Sequence, residues 1–151
     1  MTFAGCFIMG REIENCIIVG AGMGLSASLA SLFRKENMNV VLAARNIKKL
    51  DNLKRELGCH LIQCDASDPM QVEQLFAATD KLIGQPKVVI YNPSARVRGD
   101  ITSLDPLETK QALDITCFGA FLVAQQAAIR MVKQGSGSIF FTGASAGVKG
   151  F

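Results

Sequence analysis

The stretch "CIIVGAGMGLSASLA", residues 16–30, decides the fold. Cys16 to Val19 form a continuous apolar run, short enough for a strand and apolar enough to be buried on both faces. Glycines follow at positions 20, 22 and 24, and small residues at helical spacing then predict a helix from about Gly22 to Glu36. A buried strand that turns through glycines into a helix is the opening of a parallel sheet with helical crossovers.

The same alternation continues along the chain. "NVVLAA" (39–44) is a second strand, and a charged helix from about Asn46 to Leu57 ends at Gly58 as a left-handed cap. "HLIQC" (60–64) is a third strand. Asp68-Pro69-Met70-Gln71 then combines a capping Asp, Pro at the first helical position and Gln three residues after the cap, starting a helix to about Ile83. "KVVIY" (87–91) is the fourth strand, and Asp105-Pro106-Leu107-Glu108 repeats the start signal for a long helix to about Lys133. Gly135 and Gly137 precede the fifth strand, "SIFFT" (138–142). Right-handed crossovers between such strands predict one α/β domain, a doubly wound parallel sheet of about five strands in the order 3-2-1-4-5 with helices on both faces.

Composition narrows the function classes. Hydrophobic residues make up 49% of the 151 and charged residues 19%, which excludes a disordered chain. Trp is absent and aromatic residues are few, against a stacking platform for single-stranded nucleic acid. The net charge of +3 is too small for a polyanion partner. Arg45, Lys48, Lys49, Lys54 and Arg55 are interrupted by Asp51 and Glu56, and read as a solvated helix face. Five cysteines without a CxxC pair argue against a disulfide framework and for a reducing, cytoplasmic compartment. Cys59, His60 and Cys64 lack a fourth ligand at suitable spacing and read as buried strand residues. No run approaches the ~20 apolar residues of a membrane span. Residues 1–14 read as a short N-terminal extension, in which Met9 is an alternative start. Phe3-Ala4-Gly5-Cys6 resembles a lipoprotein cleavage box, but no basic segment or adequate apolar run precedes it.

In a doubly wound sheet, ligands bind beyond the carboxyl ends of the strands. The glycine loop lies at that end. A strict GxGxxG would need Gly at position 25, which is Leu; GxxxGxG fits better, with Gly20, Gly24 and, in third place, Ser26. Missing side chains permit positive φ and let a phosphate approach N–H groups at a helix N-terminus. Ser26 is small enough for close helix–strand contact, and its hydroxyl could also reach a phosphate. After the first buried strand and before a helix, the loop indicates nucleotide binding over Gly20, Gly22, Met23, Gly24 and Leu25; a plain tight turn is the alternative. The second strand ends "LAARN", with no acid to accept ribose hydroxyls and with Arg45 in the turn. A guanidinium grips phosphate bidentately, so NADP is favoured over NAD, unless Arg45 is simply a surface residue.

Together the glycine loop, Arg45, "CDASD" around Asp65, "YNPSA" after the fourth strand, "DITCFGAFLVAQQAA" and "TGASAG" resemble the short-chain dehydrogenase/reductase family over residues 14–151. The resemblance implies a Rossmann-like NAD(P)-binding unit over residues 15–151 and an oxidoreductase acting on a small carbonyl or alcohol. It also implies a homo-oligomeric parent without membrane partners, in which Asp65 and Ala66 flank the adenine and Asn92 lies against the cofactor. Asp65 reads equally as a helix-capping loop residue. Where the family has Asn-Asn-Ala-Gly this chain reads Tyr91-Asn92-Pro93-Ser94: Asn92 matches, while Pro93 and Ser94 depart. The family's catalytic Asn position is Thr116, three residues before Gly119; its Ser position, three before Gly147, is Ala144, leaving Ser145 as the nearest hydroxyl, either catalytic or serving the turn. The family's Tyr-x-x-x-Lys lies in the helix that follows such a turn, so the sequence reads as the amino-terminal portion of a longer protein. The alternatives are a non-catalytic NADP-binding module and an inactive truncated fragment.

Overall fold

In the computed structural model, residues 13–144 and residue 149 are described. The extension expected over residues 1–14 therefore lies outside the described residues apart from Ile13 and Glu14, and so does Ser145. Five parallel strands form one sheet in the order β3-β2-β1-β4-β5, as the crossover argument requires. They are β1 (Asn15–Val19), β2 (Asn39–Ala44), β3 (His60–Gln63), β4 (Val88–Tyr91) and β5 (Ser138–Phe141). In the central register Ile17 pairs with both Val41 and Val89.

Side chains alternate between two cores because successive strand residues face opposite sides. Ile17, Val19, Val41, Val89 and Tyr91 meet helices α3 (Pro69–Leu82) and α5 (Gly119–Gln134) through Val72, Leu75, Phe76, Leu122, Val123, Ala127 and Met131. Cys16, Ile18, Val40, Leu42 and Ile90 meet α1 (Leu25–Lys35) and α2 (Asp51–Leu57) through Ala30 and Leu53. Arg130 on α5 joins the two helices of the first layer: its guanidinium reaches the Asp80 carboxylate at 2.8 Å and lies 5.0 Å from the Phe76 ring centroid.

The start signals act as their chemistry predicts. Asp68 accepts from the backbone N–H groups of Met70 and Gln71 at 2.9 and 3.2 Å, and Gln71 Nε2 donates back to it at 2.8 Å. Asp105 caps α4 (Pro106–Leu113) with two bonds of 2.8 Å. Gly58 and Gly135 close α2 and α5 in the left-handed conformation, at φ +64° and +70°.

Four expectations change. Helix α1 begins at Leu25 rather than Gly22, so all three glycines stay in the turn. The charged segment opens as a short 3₁₀ turn, Ile47–Leu50, before α2. The long helix is not uniform: a π turn, Asp114–Phe118, separates α4 from α5. The whole stretch Pro106–Gln134 is also long and apolar enough by composition to cross a membrane, contrary to the reading that no run approaches that length. Its inner side chains Leu122, Val123, Ala127 and Met131 are instead spent in the sheet core.

Candidate nucleotide-binding site

At the carboxyl ends of the strands a cleft of about 320 Å³ gathers Gly20, Arg45, Asp65, Ala66 and Asn92, residues up to 72 positions apart in the sequence. Strand order explains the convergence: β1, β2, β3 and β4 all end on this side, and the reversal of winding between β1 and β4 opens the crevice.

The three glycines of the loop have different reasons to be glycine. Gly20 sits at φ +76°, and a Cβ there would run into Pro93, with Cδ at 2.7 Å. Its N–H and that of Ala21 are both donated to the Ala43 carbonyl at 2.9 Å, so neither points into open space. Gly20 is thus required by the protein's own packing. For Gly22 and Gly24 no such packing is seen: among the described residues a Cβ at either would meet no atom within 4 Å. Their missing side chains leave open space at the turn, among the described residues. Beside them the first turn of α1 carries no side-chain cap, unlike α3 and α4; the Ala27 N–H is donated to the Gly24 carbonyl, and those of Leu25 and Ser26 have no partner among the described residues. Met23 and Leu25 are exposed at the same turn.

Ser26 takes a different part from the phosphate contact considered for it. It is 1% exposed, and its Oγ donates to the Gly20 carbonyl at 3.4 Å while accepting from Asn92 Nδ2 at 2.9 Å. Asn92 Oδ1 in turn accepts from Thr142 Oγ1 at 2.8 Å. A directed chain therefore runs Thr142 to Asn92 to Ser26 to Gly20, tying the exits of β5 and β4 to the glycine loop.

Asp65 is held locally through one of its two carboxylate oxygens. Oδ1 accepts from the Ser67 backbone N–H at 3.0 Å and from Ser67 Oγ at 2.7 Å, a local turn. Oδ2 has no partner among the described residues, and Asp65 lines the cleft. Arg45 is exposed at the cleft mouth and makes no ion pair among the described residues. Lys49, read from the sequence as part of a solvated face, also lines the cleft, because the 3₁₀ turn swings it beside Arg45. Cys64 lies below, buried, its thiol pushed up to about 11 by burial and then by the Asp65 and Asp68 charges. Arg96 and Arg98 are exposed.

Thr116 is in the π turn, and its hydroxyl donates back to the Ala112 carbonyl at 2.6 Å. It is not among the cleft-lining residues; its neighbour Ile115 is. Tyr91, the single tyrosine, is buried at the end of β4 with its hydroxyl donated to the Ile115 carbonyl.

The model of the short chain dehydrogenase family matches residues 14–151. This chain belongs to that family. It is 28% identical over 126 residues to an uncharacterized oxidoreductase of Staphylococcus aureus (strain USA300), covering 82% of this chain and 54% of the relative. Among solved structures it superposes on an actinorhodin polyketide ketoreductase with NADPH at a TM-score of 0.87 and 23% identity, covering 92% of this chain and 56% of that one. It matches NAD⁺-bound xylitol dehydrogenase at a TM-score of 0.82 and 23% identity, covering 91% and 55%. At those identities the structural matches speak for the fold alone. The chain spans about half the length of these relatives.

Proposed function

We propose that this chain is the dinucleotide-binding part of an oxidoreductase that uses NADP(H), in preference to NAD(H), on a small carbonyl or alcohol substrate. The observation that carries the reading is the combination at one sheet end. Among the described residues, Gly22 and Gly24 have open space where a Cβ would stand, the helix that follows them has no side-chain cap, and Arg45 and Lys49 line the neighbouring cleft. In this reading the amino end of α1 holds the pyrophosphate. Asp65 Oδ2 accepts from the adenine amino group, and Arg45 and Lys49 hold the 2′-phosphate. The cofactor, when bound, supplies or accepts the hydride.

The unit spans residues 15–151, in a cytoplasmic, homo-oligomeric parent without nucleic-acid or membrane partners. A second reading, a module that binds NADP without turning it over, is favoured by two observations. Thr116 spends its proton on Ala112, and Ala144 stands at the family's serine position. Ser145 remains the proposed hydroxyl of the strand-5 turn. Calorimetric titration with NADPH and NADH tests the binding reading: NADPH should bind tighter by about tenfold or more, the worth of one charge-assisted contact. Equal affinities would remove the cofactor assignment, and no binding would remove the function.

A further inference from the structure

The π turn between α4 and α5 has an unusual hydrogen-bond balance. The Gly119 N–H is donated to the Asp114 carbonyl, five residues back. In an α-helix that N–H would belong to Ile115, so the Ile115 carbonyl loses its helical donor. An orphaned carbonyl in a packed helix needs a partner, and Tyr91 provides one from across the sheet end: its hydroxyl donates to Ile115. Gly119 makes the approach possible. A Cβ there would collide with the Tyr91 hydroxyl and would stand 2.7 Å from the Ala66 carbonyl. Ala66 and Ile115 both line the nucleotide cleft, so the phenol sits where the two walls meet.

We infer that Tyr91 is a positioning residue: its hydroxyl stands in for the missing helical donor, holds the π turn open and thereby sets the Ile115 wall of the cleft. The influence on nucleotide binding rests on the reading of that cleft as a dinucleotide site; the hold on the turn does not. The competing account is that Tyr91 is an ordinary core aromatic whose hydroxyl is satisfied wherever it happens to lie.

A double-mutant cycle separates them. Deleting Thr116 removes the extra residue of the turn. Asp114 then keeps Gly119 as its donor at ordinary α-helical spacing, and the Ala120 N–H becomes available to Ile115. In the chain that retains Thr116, Tyr91→Phe should speed amide exchange at Phe118 and Gly119 by about tenfold, the effect of leaving a carbonyl unpaired, with the amides of β1 and β2 unchanged. It should also weaken NADPH by about three- to tenfold. In the Thr116-deleted chain the same substitution should change neither quantity. If Tyr91→Phe leaves exchange at Phe118 and Gly119 unaltered, or acts equally in both backgrounds, the hydroxyl has no special hold on the turn and the inference fails. Should Tyr91→Phe alone not fold, recovery of the fold on Thr116 deletion supports the inference and failure of both chains overturns it. A native chain that does not titrate with NADPH while the exchange cycle holds removes the dinucleotide reading and leaves the hold on the turn standing.

Discussion

Gly20→Ala and Gly24→Val should separate into opposite phenotypes, although both glycines lie in one loop. At Gly20 an alanine would keep φ at +76° and would place Cβ against Pro93, whose ring lies in contact distance at Cδ, 2.7 Å. The left-handed conformation costs a non-glycine residue roughly 1–2 kcal/mol, and forcing a methyl into filled space costs roughly 1–3 kcal/mol. The sum, about 2–5 kcal/mol, is a large part of the ~5–15 kcal/mol that holds a domain together. At Gly24 the backbone φ is −92° and, among the described residues, no atom lies within 4 Å of a Cβ. Valine there costs up to about 1 kcal/mol as a poor helix cap, but its side chain fills the space in front of the α1 amino end. At ~2–4 °C of melting temperature per kcal/mol for a chain of this size, Gly20→Ala should lower Tm by roughly 4–20 °C and Gly24→Val by no more than about 4 °C. The binding order reverses: Gly24→Val should abolish NADPH binding while the protein stays folded. Circular dichroism melts and calorimetric titration on the same preparations read both quantities. The reasoning is refuted if Gly24→Val binds NADPH like the native chain, or if the two variants lose equal stability.

Arg45→Ala should weaken NADPH roughly ten- to hundredfold, from the ~1.5–3 kcal/mol of a hydrogen bond to a charged group. The more solvated Lys49→Ala should cost about two- to fivefold, within the ~0.2–1 kcal/mol of an exposed pair; neither should move NADH affinity, and equal losses for both cofactors would sink the assignment. Stability should fall on the alkaline side. Burial pushes Cys64 up to about 11 and Cys16 and Tyr91 up to about 12, above ordinary values of 9.0 for thiols and 10.0 for phenol. The neutral forms are therefore favoured by folding, a contribution complete below pH 9 and lost as pH rises through 11 and 12. A Tm that is flat or rising from pH 9 upward would contradict this. Residues 1–151 alone should bind NADPH without oxidising it against a panel of aldehydes, ketones and diketones; saturable turnover that disappears in Gly24→Val would overturn that expectation.

The parts legible in the sequence are those with local causes. Asp68 and Asp105, each followed by Pro, mark helix starts because capping needs only the next three residues. Gly58 and Gly135 mark helix ends because a left-handed cap is a one-residue event. The strand order follows from short buried runs joined by helices, and Arg45 and Asp65 were legible from their places after β2 and β3. The π turn was not, because one extra residue in an apolar helix leaves Ile115 to Phe118 as plausible helix formers with no break in composition. The donor to its unpaired Ile115 carbonyl is Tyr91, 24 residues upstream. Lys49 was misread for a related reason: charge alternation reports exposure, and an exposed lysine can still edge a cleft when a 3₁₀ turn redirects it. The link from Ser26 to Asn92 spans 66 residues and that from Asn92 to Thr142 spans 50, beyond any local signal.

The same hydrogen bonds show where the hydroxyl protons of the described residues go. A hydroxyl has one proton to give. Ser26 gives its proton to Gly20, Thr142 to Asn92, Thr116 to Ala112 and Tyr91 to Ile115. Each bond fixes a wall or a turn, so each is more useful to the geometry of the cleft than to a reacting carbonyl. Tyr91 is doubly unsuited to proton transfer at neutral pH, since burial drives its hydroxyl up to about 12, away from the range in which an acid is effective. Ser94 lines the cleft with no hydrogen bond among the described residues, and can meet a ligand. Without an adjacent base it remains a weak nucleophile and a weak acid. The described residues therefore line the cleft proposed above for a dinucleotide, and in the unliganded chain four hydroxyls bond to groups of the protein around it.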